Sequence, residues 1–499
     1  MEENIKIAHT KNLNKFNFNT TLSVPINAGA NIKSIIDTNT YLFDVKVECG
    51  NGKAIISGKI GMKVLYIDTD NMTSTLSDNA SFSETYSDNA ITSDTFLNLT
   101  NQTIVNNILS TEGVLKINCE ISLTPVMYVN LAITPALKLQ DSIISKKSEF
   151  STCTVNNIVN ACFEHTTNLE TKDEISKILC CNSYFSAESI TPNDGFVTID
   201  GKLLTCLLYE TGGDDRQIKE LKEISNLKCD VEISGLNKEH NLDLNFIINK
   251  SREEIQTELE ENSSIITIKN TICASGVVLN PISVEVVDDL FSIENEIEAS
   301  SSKRECTKNI QKVSVSEIVV NEVSLSNDEP AIDEIVSNLN QAAEITNSYI
   351  KDKTIYVEGL VSSNLIYIDE NKEIKNKQLE IPFIINTKIE AETLGCVHSE
   401  ISIVDCKIKV KRGTIVEAEY SLFSTTVLFD KEEHVMIDTF TIGKQLDFSK
   451  YDFQIFVAKQ NETIWELCKR IKISPNDITK FNKDLPLVMN GGEKVVIKR

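Results

Sequence analysis

The sequence predicts a mainly β chain: three tandem β-sandwich-like repeat domains followed by a small strand–helix–helix–strand (βααβ) module. Three observations carry this expectation. A strand-like motif with a glycine and a tyrosine at fixed spacing occurs three times. Long runs rich in Val, Ile, Leu and Thr follow each copy. Residues 454–499 then change character, to two short helical patterns between apolar strands. With 499 residues, 41% hydrophobic and 24% charged, the chain holds enough apolar material for packed cores. Its 9 prolines and 18 glycines exclude collagen-like and linker-dominated architectures.

The motif copies read IISGKIGMKVLY with Gly58 and Tyr66, TIDGKLLTCLLY with Gly201 and Tyr209, and YVEGLVSSNLIY with Gly359 and Tyr367. Intervening positions agree as well: Ile60, Leu203 and Val361, then Val64, Leu207 and Leu365, then Leu65, Leu208 and Ile366. Upstream stands an I-x-x-I step, Ile32/Ile35, Ile175/Ile178 and Ile332/Ile335. From the first copy to the second, step and glycine both move by 143 positions; from the second to the third they move by 157 and 158. Two motifs in register across three copies predict domains at 1–145, 146–297 and 298–445, with a fourth at 454–499.

Each motif alternates before its glycine and runs apolar after it, which favours strand over helix. The runs VLKINCEISLTPVMYVNLAI, SIITIKNTICASGVVL and KIKVKRGTIVEAEYSLFSTTVLF extend the pattern. Gly50-Asn51-Gly52, Gly212-Gly213-Asp214 and Asp369-Glu370-Asn371 supply turns. The repeated glycine is expected to permit a bulge or a close backbone approach, and the tyrosine to pack at a sheet edge. The polar segments 146–157 and 298–309 read as turn-rich connections, and the five glutamates of run 251–264 as a solvated face.

The formal charge is −24, so phosphate backbones and anionic membranes would both repel the chain. Residues 454–499 hold nine basic against five acidic side chains, a net of +4, which leaves −28 on the rest. The opening MEENIKIAHTKNLNKFNFNT lacks the basic start and apolar core of a secretory signal, and no stretch is long and apolar enough to span a bilayer. A cytosolic chain is the expectation. Thirteen cysteines without a C-x-x-C pair, and five scattered histidines, read as reduced core thiols rather than a metal site.

In the tail, Thr463 and Glu466 form a capping box for one helix. Ser474, Pro475 and Asp477 open a second. This tail resembles a LysM domain over nearly all its length. Phe456, Thr463, Ile464 and Trp465 match the family's Tyr-x-Val-x-x-Gly-Asp-Thr-Leu-Trp opening, with Glu462 at the acidic position. Leu467, Ile473, Ser474, Ile478 and Asn482 match its middle, and Gly492, Val495 and Ile497 its closing strand. Ala458, Asn461 and Lys498 depart from the usual Val, Gly and Pro. Asn tolerates the left-handed backbone that Gly supplies, but narrows the loop that LysM domains use for glycans.

The triple repeat resembles the SPOCS domain of spore-forming bacteria, on the I-x-x-I step and the V-x-G-x-hydrophobic…hydrophobic-Y strand. Repeats of this kind followed by one LysM domain look like a clostridial spore-coat morphogenetic architecture. The resemblance implies a structural adaptor in the mother-cell cytoplasm, recruited to the forespore surface. Its LysM domain would dock a stage IV sporulation protein A-like coat ATPase, and its acidic repeats would meet other coat proteins. The alternative is a peptidoglycan- or N-acetyl-sugar-binding protein. The groove would lie between Gln460, Asn461, Glu462, Thr463 and Ile464 on one side and Leu485, Leu487 and Val488 on the other. A basic face of Lys469, Arg470, Lys472 and Lys480 would meet an acidic partner. Trp465, Leu467 and Ile478 read as module core. The sequence holds no P-loop, G-x-G-x-x-G, G-x-S-x-G or H-E-x-x-H motif, so neither catalytic residues nor a cofactor or metal are expected.

Overall fold

A computed structural model describes residues 5–25, 32–111, 114–133, 139–213, 216–258, 263–326, 329–389, 397–447 and 453–498. The chain is nearly all β, in several antiparallel sheets, with two short helices at the C-terminal end. A first block holds β1 (Ile5–Asn12), β2 (Phe16–Pro25), β3 (Ile32–Gly50), β4 (Lys53–Asp68), β5 (Thr73–Ser87), β6 (Thr95–Thr111) and β7 (Val114–Ile133). A second holds β8 (Ile143–Thr171), β9 (Ile175–Pro192), β10 (Phe196–Thr211), β11 (Ile218–Glu232), β12 (Asn241–Glu258) and β13 (Ser263–Ser292). A third holds β14 (Asn295–Ser324), β15 (Ile332–Lys351), β16 (Thr354–Asp369), β17 (Ile374–Lys388), β18 (Val397–Lys411) and β19 (Ile415–Gln445). The tail is β20 (Phe453–Val457), α1 (Ile464–Ile471), α2 (Pro475–Phe481) and β21 (Lys494–Lys498).

Each block pairs a meander with a second sheet. The meanders are β3-β4-β5, β9-β10-β11 and β15-β16-β17. The second sheets are β12-β13-β8 and β14-β19-β18, and in the first block β7 pairs with β1, β2 and β6. Cores form where the two sheets of a block face each other. Ile56, Ile60 and Val64 of β4 meet Ile117, Ile121 and Met127 of β7, and Val361 and Leu365 of β16 meet Val416, Ala418 and Leu422 of β19. The alternation is clean in β17, where Leu379, Ile381, Phe383 and Ile385 point inward. Gly50-Asn51-Gly52 makes the β3–β4 turn, with Asn51 and Gly52 both left-handed.

The motif strands β4, β10 and β16 are the central strands of their meanders. The second Ile of each I-x-x-I step pairs with the motif tyrosine: Ile35 with Tyr66, Ile178 with Tyr209, Ile335 with Tyr367. A bulge follows at once, skipping Ile36, Leu179 and Val336. These three join Leu65, Leu208 and Ile366 in one buried cluster drawn from all three blocks. A second such cluster holds Ala8, Cys153 and Ile310 with Val126, Val277 and Val427. The apolar run after each glycine thus has two buried faces, one toward its own sandwich and one toward the other blocks. Beside the first cluster, Asn39 Nδ2 donates to Asn182 Oδ1 (2.9 Å) and Asn182 Nδ2 to Asn340 Oδ1 (3.4 Å). Asn340 Nδ2 in turn donates to the Asp37 carboxylate (2.6 and 2.7 Å).

Three expectations need correction. The motif tyrosines do not pack at a sheet edge; they are buried on central strands, on the face turned into their own block, where Tyr367 joins the core between β16 and β19 and the Tyr209 hydroxyl donates to Asp173. Segments 146–157 and 298–309 are not turn-rich connections but parts of the long strands β8 and β14. Alternate residues such as Phe150 and Thr152 turn inward while the charged ones face solvent. Nor are all thiols reduced, since Cys162 and Cys273 stand opposite each other on β8 and β13 and form a disulfide. Their separation of 111 residues hides this pairing from the sequence. Of the acidic run 251–264, residues 259–262 and the side chains of its glutamates lie outside the described residues, as does Cys396.

Candidate docking site

The tail folds around its own core of Ala458, Leu467, Cys468, Ile471, Ile473, Ile478, Met489, Val495 and Ile497. Strands β20 and β21 pair antiparallel, Ile455 opposite Val496. Thr463 caps α1, its hydroxyl accepting from Glu466 N while the Glu466 carboxylate accepts from Thr463 N (2.8 Å). These bonds hold the Glu466 carboxyl below its usual range. Ser474 caps α2 with Pro475 in its first turn. Asn461 adopts the left-handed conformation at φ 59°.

The two loops of the expected groove are joined to each other. Asn461 N donates to Met489 O (2.9 Å), Met489 N to Glu462 O (2.8 Å) and Ile464 N to Leu487 O (3.3 Å). Thr463 and Val488 form a β-bridge. Among the groove residues, Glu462 is buried and clasped by Arg470 at 2.6 and 2.8 Å, which holds its carboxyl below the usual range. Gln460 and Asn461 are exposed, Thr463, Ile464 and Leu485 half-buried. Leu487 is 83% and Val488 50% exposed, so the rim of the loops is apolar.

The expected basic face does not stand open as one patch. Arg470 turns to Glu462, and Lys480 lies over the Phe481 ring. Lys469 Nζ reaches Asp289 Oδ1 of β13 at 2.5 Å, and Lys472 sits over the Phe291 ring. Leu467 and Ile478 are fully buried in the module core. Trp465 is only half-buried and lies at the seam with the second block. Its indole meets the Phe291 ring edge-on at 5.2 Å and donates Nε1–H to Asp289 Oδ2 at 2.8 Å. Burial alone would raise the Asp289 carboxyl; the bonds from Lys469 and Trp465 outweigh it and hold it below the usual carboxylate range. Asp289 and Phe291 escape sequence reasoning, since neither periodicity nor motif links VVDDLFSI to a tail some 176 residues on.

The motif glycines Gly58, Gly201 and Gly359 each lie beside a register shift on the preceding strand. Residues 174–255 match the family model described as SipL, SPOCS domain. The SPOCS match spans β9 to β11 and most of β12, and so contains Gly201 and Tyr209. It supports a sporulation-related role for the chain. No curated protein and no solved structure matches the chain. Among the described residues no helix is long and apolar enough to cross a membrane, and no group of His, Cys, Asp and Glu is arranged to hold a metal ion.

Proposed function

We propose that this chain is a non-enzymatic structural adaptor in spore envelope assembly, acting in the mother-cell cytoplasm at the forespore surface. Its LysM-like tail docks a coat morphogenetic ATPase similar to stage IV sporulation protein A, while the SPOCS-like blocks form an acidic body open to other coat proteins. The SPOCS match carries the sporulation context. The joined loops favour a protein ligand over a sugar, because the backbone N–H groups of Asn461, Ile464 and Met489 that could read an N-acetyl group donate across the loops to the carbonyls of Met489, Leu487 and Glu462 instead. In a pulldown from sporulating cells, deleting 454–499 abolishes capture of the coat ATPase; undiminished capture would sink the reading.

The exposed Leu487 and Val488 at the loop rim favour a second reading, in which the tail binds N-acetyl sugars. Saturable heat on titrating the full chain with chitin oligomers, lost on deleting 454–499, would support it; a flat titration leaves the protein partner.

A further inference from the structure

The contact between tail and body is small and chemically specific. The tail's core is its own, and among the described residues only Ile144, Phe291 and Ile293 of the body join it. Asp289 is aimed there by a bulge: register slips between Val287 and Asp289, so consecutive residues Asp288 and Asp289 separate, Asp288 to Ser148 and Asp289 to α1. The Asp289 carboxylate then accepts three bonds, from Lys469 Nζ at 2.5 Å, Trp465 Nε1 at 2.8 Å and Leu290 N at 2.9 Å. Two residues on, Phe291 presents its ring to both Trp465 and Lys472. Carboxylate to indole N–H and ammonium, ring to ring and ammonium: the α1 face reads an acid and an aromatic two residues apart.

We propose that Trp465, Lys469 and Lys472 form a recognition surface for a protein segment bearing an acidic residue, any residue, then an aromatic one, and that Asp289-Leu290-Phe291 occupies it as an internal stand-in. A few side chains hold the stand-in, so an external segment of the same chemistry, carried by a partner, displaces it. The electrostatics agree, since a tail of net +4 rests on a body of −28 and attracts acidic segments in general. The proposal deepens the docking reading above and rests on it for the partner, but the surface can be tested without that partner.

Trp465 is the only tryptophan in the sequence, so its fluorescence reports the seam directly. In the full chain, Asp289→Ala shifts its emission to the red and raises acrylamide quenching. A synthetic peptide of residues 287–293 then reverses both changes saturably. It binds the opened variant about tenfold more tightly than the wild type, as loss of a competing charged hydrogen-bonded contact implies. A peptide with Asn and Ala in place of its second Asp and its Phe has no effect. Unchanged emission in Asp289→Ala, or no reversal by the peptide, overturns the proposal. Should Asp289→Ala lose its β circular dichroism, Lys469→Ala opens the same contact from the tail and must shift Trp465 emission to the red; unchanged emission there overturns the proposal. An opened chain that binds the peptide yet captures no coat ATPase supports the surface and overturns the partner. One that captures the ATPase with unchanged emission overturns the surface alone.

Discussion

A Cβ at Gly201 would lie 2.3 Å from Ser186 O, and at Gly359 2.1 Å from Glu344 O, both backbone atoms that can move only with their strands. At Gly58 the nearest atom is the Phe82 ring, at 3.0 Å, which can tilt away. Gly201→Ala and Gly359→Ala should therefore each cost about 1–3 kcal/mol in urea unfolding, and Gly58→Ala less. At the cluster between blocks, Leu208 is fully buried, and Leu208→Ala should cost about 2–5 kcal/mol. The close approach at the glycine was legible in the sequence, because a lone Gly in a β-rich run has few other uses. The place of the tyrosine was not, since its cover comes from residues outside the motif strand, such as Thr171 and Asp173 beside Tyr209.

At the scale of elements, the tail's helices follow from their caps. Thr463→Ala removes the hydroxyl that accepts from Glu466 N and should cost the module about 1 kcal/mol, seen as earlier loss of the Trp465 signal in a melt. The seam between α1 and β13 should be acid-sensitive. Asp289 is held below its usual value when folded, so its contribution is present above the unfolded carboxylate value of about 3.9 and is lost as pH falls through the folded one. Trp465 emission should accordingly move to the red only below about pH 4 and stay constant from there to neutrality. The helices were readable residue by residue, as capping uses neighbours in sequence. The strands at 146–157 and 298–309 were not, because a polar alternation facing water looks like a loop until its buried partners are known.

At the scale of the molecule, three shared clusters take residues from every block, the third of them joining Ile7 and Ile133 to Phe150, Val286, Cys306 and Met436. Residues 5–447 should then unfold in one calorimetric transition, with van't Hoff and calorimetric enthalpies in agreement. Three separate transitions would show that the shared clusters contribute little. The repeat was legible because its most regular positions, from Leu65 to Leu208 to Ile366, are the ones that touch across blocks. Even the mismatch of 157 against 158 has a physical source. The third copy carries one more bulge, between Leu339 and Ala342, with Asn340 left-handed within it. What the repeat could not reveal is that the blocks close on one another, since closure depends on long-range packing.

The amide chain beside the first cluster has a direction. Asn39 of the first block donates to Asn182 of the second, Asn182 to Asn340 of the third, and Asn340 returns to Asp37 of the first. Among the described residues the side-chain amides that reach the carboxylate, Asn340 and Asn364, both belong to the third block, so the blocks are not interchangeable, though their circuit has no beginning. A circular permutant that starts at the second block keeps every donor beside its acceptor. A gene that swaps the first two blocks sets the circuit running against itself.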